Sequence, residues 1–254
     1  MNYLADFNCK VVKLLYNIRV ILAFLDIYCR KGCLMSEKQH IEDEHLAQLL
    51  TRFPEFRPLS SAIAAAVEQI CATYQAGGKI LVCGNGGSAS DSEHIVGELM
   101  KGFKLSRSLT EKEIAGFAQA PNADAQQLAA RLQRGVPAIS LTGHPALSTA
   151  IANDTGADMV FAQQVYVLGK LNDVFIGIST SGNSANVVNA AIVARVCGLC
   201  TIGMTGEKAC RLDQFCDIAI KVPAQECHRV QEYHMPIYHA ICLAVEERLF
   251  GATA

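Results

Sequence analysis

Apolar residues follow two different patterns between residues 41 and 250. Two stretches near the start, and a longer one at the end, carry apolar residues at the three- and four-residue spacing of helices. Five short apolar runs of strand length lie between them, and helix-like segments separate most of these runs. The helical stretches are IEDEHLAQLLTRF, LSSAIAAAVEQICATYQAGG and HRVQEYHMPIYHAICLAVEERLF, and the strand-like runs are KILVCG, VPAISLTG, DVFIGIS, LCTIGMTG and DIAIKVP.

The strand-like runs are apolar throughout, which is typical of strands whose two faces are both covered by helices. Short strands that alternate with helices indicate the α/β class and a parallel sheet. We therefore predict a single α/β domain over residues 35–254, with a helical arm at its amino-terminal side. Residues 101–135 break the compact pattern with a polar stretch that contains helical spacing, and we interpret this stretch as an insertion.

Composition and charge narrow the class of protein. About half of the 254 residues are apolar (51%) and only 18% are charged, as expected for a globular protein with a large core. The net charge of −2 differs from the strong positive charge that is typical of nucleic-acid-binding domains, so no nucleic-acid partner is expected. The 11 cysteines are scattered through an apolar chain without a clear secretory signal, which favours reduced thiols. Cys197 and Cys200 form a CxxC pair, but Gly198 predicts a helix end followed by a strand.

Residues 1–34 differ from the rest of the chain in being apolar without a place in the strand pattern. Lys13, Arg19 and Asp26 interrupt this segment, so its uncharged runs are shorter than the ~20 residues that span a bilayer. A short signal-peptide core is one alternative, although no convincing cleavage site follows it. The pattern favours Met35 as an alternative start, with residues 1–34 as an extension. We expect a cytoplasmic protein with no membrane partner.

A glycine-rich loop, GNGGSAS, follows the first strand-like run at residues 84–90. Parallel sheets bind ligands beyond the carboxyl ends of their strands, so this loop is a candidate site. A dinucleotide-binding loop would need the GxGxxG spacing, and a Walker loop would need a GK[ST] ending. Neither is present in this loop. The spacing therefore argues against a nucleotide.

A second loop, STSGNS, follows the third strand-like run at residues 179–184. Ser179, Thr180, Ser181 and Ser184 place four hydroxyl groups within six residues, and a helix is predicted to start directly afterwards. Hydroxyl groups together with the free N–H groups of a helix start suit a phosphate dianion. Ordinary capping is the commonest role of such residues, but one hydroxyl would satisfy it. The loop therefore predicts a phosphate site.

The two loops together, CGNGGSASDSEH and GISTSGNSANVV, resemble the sugar isomerase (SIS) domain. The stretch QEYHMPIYH narrows the resemblance to the D-sedoheptulose 7-phosphate isomerases, also called phosphoheptose isomerases. The resemblance implies a flavodoxin-like three-layer fold with a mostly parallel five-stranded sheet. It also implies a homotetramer with sites at subunit interfaces, bound zinc, and the conversion of sedoheptulose 7-phosphate to D-glycero-D-manno-heptose 7-phosphate.

The pattern of ionisable residues agrees with an isomerase. Moving a carbonyl between two carbons needs a base for the carbon-bound proton and a second group for the hydroxyl proton. His94 and Glu98 lie four residues apart, on one face of a predicted helix, and Gln231 and His239 lie about two turns apart on the last helix. Taken alone, such pairs are more often solvated or core residues.

The resemblance assigns roles to these residues. It implies that Glu98 is the base and His239 its acid–base partner, and that zinc is bound by His94, Glu98, Gln231 and His239. The implied substrate-binding residues are Asn85, Gly86, Gly87, Ser88, Glu98, Ser179, Thr180, Ser181, Ser184 and Gln231.

Several alternatives stay open at this stage. His234 is near enough in sequence to compete as a ligand, and Pro236 could bend the helix that carries His239. Isomerisation of another sugar phosphate, or a sugar-phosphate-sensing regulator, would use the same loops. One branch of the family consists of non-catalytic tetrameric adaptors that bind the replication initiator DnaA. These adaptors lack the residues that match Glu98 and His239, so their presence favours an enzyme.

Overall fold

The computed structural model describes residues 43–117 and 123–251, and the predicted extension at residues 1–34 lies outside them. The five predicted strands are confirmed, and each is bounded by a helix or a turn. The strands are β1 (Ile80–Cys83), β2 (Ala138–Ser140), β3 (Val174–Ile178), β4 (Cys200–Gly206) and β5 (Ile218–Val222). The α-helices are α1 (Glu44–Arg52), α2 (Ser60–Gln75), α3 (Gly87–Met100), α4 (Glu111–Phe117), α5 (Ala123–Arg131), α6 (Pro145–Asp154), α7 (Val160–Leu168), α8 (Ala185–Val196) and α9 (Cys227–Phe250). Short 3₁₀ turns cover Pro54–Leu59, Ala157–Met159 and Leu212–Phe215.

The sheet has the order β2-β1-β3-β4-β5, and all neighbouring strands are parallel. This is the flavodoxin-like order, in which the connections leave the sheet in opposite directions after β1 and β3. The predicted fold class is therefore confirmed. The carboxyl ends of β1 and β3 are adjacent, since Cys83 is aligned with Gly177. The glycine loop and the serine/threonine loop consequently begin side by side.

The two faces of the sheet bury two separate apolar clusters. Ile80 and Val82 of β1 point into the cluster formed with α2, α3 and α9, whereas Leu81 and Cys83 point into the cluster formed with α7 and α8. Alternate residues of a strand face opposite sides, so a sheet covered on both sides needs apolar residues at every position. This requirement explains the unbroken apolar runs. The first cluster holds α3 against one face of the sheet, and the second holds α8 against the other face. The glycine loop leads into α3, and the serine/threonine loop leads into α8.

The sequence signals for helix ends are also confirmed. Helix α2 stops before Gly77, whose φ of 73° places it in the left-handed region that favours glycine. Helix α8 stops before Gly198, with φ 79°, and Cys200 then opens β4 as expected. The described cysteines are all free thiols. The last helix continues through Pro236 for 24 residues, so it carries Gln231 and His239 on one continuous element.

The segment 101–135 contains α4 and α5, in line with the helical spacing seen there. An antiparallel bridge joins Ser108 to Gln133 and brings the ends of the segment together. Val136 N donates to Leu99 O at 2.9 Å, so the chain returns to the end of α3 before it enters β2. Within the described residues, none of the helices combines the length and the hydropathy that crossing a membrane requires.

A buried aspartate ties together the amino ends of β1 and β3. Asp173 Oδ1 accepts from Lys79 N at 2.9 Å, and Oδ2 accepts from Lys79 Nζ at 2.6 Å and Lys170 N at 2.8 Å. Its side chain is only 3% exposed. A buried carboxylate of this kind stabilises the fold only as long as its donors stay paired, because an unpaired buried donor carries a desolvation cost.

We predict that Asp173→Asn lowers the free energy of unfolding by about 1–3 kcal/mol, since the new NH₂ group would face donors instead of accepting from them. Urea denaturation followed by circular dichroism measures this change. Asp154→Asn, at an exposed position near the end of α6, is the matched control and should shift stability by no more than about 0.5 kcal/mol. Equal midpoints for the two variants would contradict the assigned role of Asp173.

Candidate active site

The glycine loop turns sharply from β1 into α3. Gly86 has φ 56° and ψ −122°, a backbone conformation that essentially only glycine adopts without strain. At Gly84 a Cβ would lie 2.7 Å from the backbone carbon of Ser88, so a side chain would push the loop away from the helix. Ser88 N donates to Asn85 O at 3.0 Å and closes the turn. The glycines therefore allow a tight turn that leaves the side chain of Asn85 exposed.

Two side-chain contacts join the glycine loop to neighbouring elements. The amides of Asn85 and Asn186 form a reciprocal pair, with both N···O distances at 2.9 Å. Asn186 lies in the first turn of α8, so this pair links the two candidate loops. The side chain of Gln231 covers Gly87, since a Cβ there would lie 2.9 Å from Gln231 Cδ. The predicted residues Asn85, Gly87 and Gln231 are thus brought together.

The serine/threonine loop forms a compact turn at the carboxyl end of β3. The hydroxyl groups of Ser179 and Ser184 lie 3.0 Å apart. Gly182 has φ 63°, and a Cβ there would lie 2.6 Å from Cys210 Cβ, so both conformation and space require glycine. Ser184 precedes α8 but makes no side-chain capping bond to it. Its hydroxyl is therefore not consumed by the ordinary capping role.

The same loop also lies beside the start of α9. Thr180 Oγ1 is 3.3 Å from Cys227 Sγ, and Cys227 is the first residue of that helix. The starts of α8 and α9 therefore both lie near the loop, and helix starts carry partial positive charge and free N–H groups. Ser181 is exposed at this position. Hydroxyl groups and two helix starts together form a surface suited to a dianion.

A cluster of ionisable side chains lies further along α3 and α9. His94 Nε2 is 3.2 Å from Glu98 Oε1, and the opposite oxygen of Glu98 is 3.2 Å from Lys101 Nζ. The ring of His239 stands edge-on to that of His94, with centroids 4.9 Å apart. The structure therefore places three predicted residues, His94, Glu98 and His239, within one cluster, and it adds Lys101.

Two further residues complete the hydrogen bonds of His94. His94 Nδ1 is 3.0 Å from Tyr238 Oη, and Tyr238 donates its hydroxyl proton to Asp91 Oδ1 at 3.3 Å. With its one proton directed to Asp91, Tyr238 can only accept from His94 Nδ1–H. Nε2 of a neutral His94 is then an acceptor that faces Glu98. An imidazole nitrogen and a carboxylate oxygen 3.2 Å apart form a pair suited to proton transfer.

Burial sets the electrostatics of the cluster. Burial, followed by the neighbouring His94, lowers the pKa of His239, while Glu98 acts in the opposite direction. His239 Nε2 is buried without a hydrogen-bond partner. Burial likewise raises the pKa of Asp91 and of Tyr238. A neutral imidazole beside a carboxylate is the pairing that general acid–base chemistry near neutral pH requires.

The donor atoms of the predicted zinc ligands match the chemistry of zinc, which takes histidine nitrogen and carboxylate oxygen. Among residues 43–117 and 123–251, no group of three or more His, Cys, Asp or Glu side chains is placed to hold a metal ion. The structure shows a cluster in which His94 pairs with Glu98 and the ring of His239 packs edge-on against that of His94, while Gln231 lies at the glycine loop.

The competing histidine is accounted for by the core. His234 is fully buried, and burial lowers its pKa to about 4, so this imidazole is neutral. It lies three residues after Gln231, and its side chain is buried in the interior of the protein. The sequence interpretation did not include Asp91, Lys101, Asn186 or Tyr238. The i,i+3 spacing of Glu98 and Lys101 was a usable signal, whereas the other contacts join distant parts of the chain.

The two groups of predicted residues remain apart within one chain. Gly87 and Glu98 lie eleven residues apart on α3, which corresponds to about 16 Å along a helix axis. Gln231 and His239 lie eight residues apart on α9, or about 12 Å. The structure therefore has a loop region suited to an anion and a separate acid–base cluster, which two long helices connect.

Comparison with known proteins agrees with this geometry. The family model of the SIS domain matches residues 44–136 and 121–206. A phosphoheptose isomerase of Aliarcobacter butzleri is 39% identical over 206 residues, which cover 81% of this chain and 92% of that protein. One of Geotalea daltonii is 40% identical over 193 residues, which cover 76% of this chain and 87% of that protein.

Solved structures give the same result. The phosphoheptose isomerase of Francisella tularensis superposes with a TM-score of 0.64 at 30% identity and covers 80% of this chain and 94% of its own. That of Neisseria gonorrhoeae has a TM-score of 0.61 at 31% identity, with coverage of 81% and 94%. Fold, loops and relatives thus agree, and the chain belongs to the SIS domain family, among the phosphoheptose isomerases.

Proposed function

We propose that this protein is an aldose–ketose isomerase that converts D-sedoheptulose 7-phosphate to D-glycero-D-manno-heptose 7-phosphate, a reaction of heptose biosynthesis. The observation that carries the proposal is the combination of the hydroxyl-rich loop at residues 179–184 with the acid–base cluster at Glu98 and His239. A phosphorylated sugar needs both features, because the phosphate anchors the molecule while a carbon at its other end exchanges a proton.

The loops bind and orient the substrate. Ser179, Thr180, Ser181 and Ser184 donate hydrogen bonds to the phosphate, next to the starts of α8 and α9. Asn85 and Ser88, with the backbone at Gly86 and Gly87, contact the sugar hydroxyl groups, and Gln231 lies across this surface. Glycine at residue 86 lets the sugar approach the backbone more closely than a side chain would permit, and nothing lies within 4 Å of the place where its Cβ would be.

The acid–base cluster moves the protons. Glu98 removes the proton from C1 of the ketose substrate and returns it to C2 as the aldose forms. His239, kept neutral by its burial, relays the proton between the two oxygens of the enediol intermediate. His94 holds the Glu98 carboxylate at 3.2 Å, and Tyr238 and Asp91 hold His94 in turn. Lys101 supplies positive charge beside the same carboxylate.

Assembly and location extend the proposal. The loop region and the acid–base cluster are separated by several helical turns in one chain, which supports a homotetramer whose sites combine residues of neighbouring subunits. Large apolar side chains exposed on α7, α8 and the turns beside them are also available for contacts between subunits, since exposed apolar groups often mark interfaces. They include Tyr166, Val167, Leu171 and Val196. A cytoplasmic location stays a prediction.

Zinc is proposed as a bound metal. Two imidazoles, a carboxylate and an amide oxygen from His94, His239, Glu98 and Gln231 form a donor set that zinc accepts. These four do not meet around one point in the single chain, so no step of the reaction above depends on the metal. Metal content is therefore tested separately from turnover.

Glu98→Gln keeps the size of the side chain and removes the base, so we predict that kcat falls by about 10²-fold or more. Binding of the sugar phosphate should persist, because the loop residues are unchanged. Conversion of sedoheptulose 7-phosphate followed by NMR measures turnover, and Glu111→Gln on exposed α4 is the matched control. Normal turnover by Glu98→Gln would place the base elsewhere. No isomerisation of any sugar phosphate by the wild type, with or without zinc, would favour the DnaA-binding adaptor.

Ser181→Ala should weaken the binding of every phosphorylated sugar and leave the fold intact, because the exposed hydroxyl is a donor to the phosphate. A hydrogen bond to a charged group contributes about 1.5–3 kcal/mol, or roughly one to two decades in affinity. The Michaelis constants for several sugar phosphates measure the effect. Ser106→Ala removes an exposed hydroxyl outside both loops and should change none of them. Unchanged constants after substitution at Ser179, Thr180, Ser181 and Ser184 alike would rule out the phosphate loop.

His94→Ala should reduce the zinc content of the purified protein, because it removes a nitrogen donor beside Glu98. Mass spectrometric metal analysis after dialysis against a defined zinc buffer gives the zinc-to-protein ratio. His144→Ala, at an exposed histidine before α6, is the control and should keep the wild-type ratio. Equal zinc in the two variants would refute His94 as a ligand, whatever the effect on turnover.

A further inference from the structure

A buried ion pair lies beyond the acid–base cluster, between Arg107 and Glu246. The Arg107 Nε–Glu246 Oε1 distance is 2.7 Å, and each side chain is only 1% exposed. Neither residue belongs to the two loops or to the cluster. Taking two charges out of water carries a large desolvation cost, and their mutual attraction offsets it only when every remaining donor and acceptor is also paired.

The hydrogen bonds of the pair meet this condition. Glu246 accepts from the backbone N–H groups of Phe103 at 2.8 Å, Lys104 at 2.8 Å and Leu105 at 3.1 Å. Arg107 donates Nη1 to Leu99 O at 2.7 Å and Nη2 to Glu98 O at 3.0 Å. The guanidinium also lies over the ring of Phe250, with Cζ 4.8 Å from its centroid.

These contacts act on the two helices that carry the proton-transfer residues. The carbonyl groups of Glu98 and Leu99 belong to the last turn of α3, where helix carbonyls lack partners within the helix and a cation is favourable. Arg107 therefore fixes the end of α3 at the residue proposed as the base. Glu246 lies seven residues after His239 on α9, which is two turns along the same helix face.

We propose that Arg107 and Glu246 are positioning residues for the isomerisation and set the separation of Glu98 and His239. The proposal rests on the roles given to those two residues above. The pair acts through the backbone of α3 and the body of α9, and it touches neither loop. A misplacement of about 1 Å between reacting groups can cost about 10²-fold in rate. A rigid, buried, fully paired cross-link is therefore useful at this position.

Three variants separate positioning from plain structural support. Arg107→Lys keeps the charge but replaces the planar fork with one point donor, and Glu246→Gln keeps the shape but loses a charged acceptor. The double variant Arg107→Met/Glu246→Leu removes both charges, so it leaves no uncompensated buried ion if a single variant folds poorly. The matched control is Asp173→Asn, which disrupts the Lys79–Asp173 pair at the amino ends of β1 and β3 and contacts neither Arg107 nor Glu246.

The measurements are kcat and KM with sedoheptulose 7-phosphate, together with the primary isotope effect for substrate deuterated at C1. Melting temperature is recorded for each variant. We expect kcat to fall about 10- to 100-fold in the Arg107 and Glu246 variants, with KM within about twofold of wild type and a larger isotope effect. Asp173→Asn should lose stability and keep the wild-type kcat and isotope effect.

Two results would overturn the proposal. One is a wild-type kcat and isotope effect in the folded double variant. The other is a parallel decline in melting temperature and kcat that Asp173→Asn reproduces, since this pattern would mean structural support only. The Glu98→Gln variant is assayed alongside. If Glu98→Gln turns over normally, the assigned base is wrong, and the proposed function fails. This result is distinct from a failure of the positioning proposal, because Arg107 and Glu246 are unchanged in that variant.

Discussion

The parallel pairing of β1 with β3 is the constraint on which the rest of the site depends. Their carboxyl ends are adjacent, and the chain leaves them toward opposite faces of the sheet. A crevice must therefore open between the two connections, at the place where ligands of such folds bind. The reciprocal amide pair of Asn85 and Asn186 crosses this crevice and holds its two walls in register. The positions of the two loops proposed to bind the phosphate and the sugar are therefore consequences of strand order.

The residues that transfer protons are subject to a different requirement. Their side chains must be partly buried and must still have hydrogen-bond partners. The structure meets this requirement with a chain of contacts in which Asp91 holds Tyr238, Tyr238 holds His94, and His94 holds Glu98. Each member of this chain has at least one partner that fixes its orientation, which limits the desolvation cost. Two atoms of the cluster are exceptions, since Asp91 Oδ2 and His239 Nε2 are buried without a partner. An unpaired buried nitrogen beside a base is a natural place for a substrate hydroxyl.

Long helices connect the two halves of the site. Both α3 and α9 start at the loops and continue past the acid–base cluster, so a displacement at the far end of either helix would move a reacting group. The Arg107–Glu246 pair lies at that far end, and its donors and acceptors all contact the two helices or the segment between residues 103 and 105. Residues 103–107, at the start of the polar segment that follows α3, therefore connect the two helices. The composition of the segment does not reveal these contacts.

The sequence by itself determined the elements and the loops. Apolar runs, helical spacing and the glycine at residue 198 predicted all five strands and the main helix ends, because period and backbone freedom are local properties. The loop motifs also predicted which residues contact a sugar phosphate, and the structure places both loops at adjacent strand ends. The tertiary structure decided which side chains meet. Tyr238 joins His94, and Glu246 joins Arg107, across about 140 positions of sequence. No periodicity encodes such contacts, since they arise only when packing of α3 against α9 brings buried polar groups within hydrogen-bonding distance.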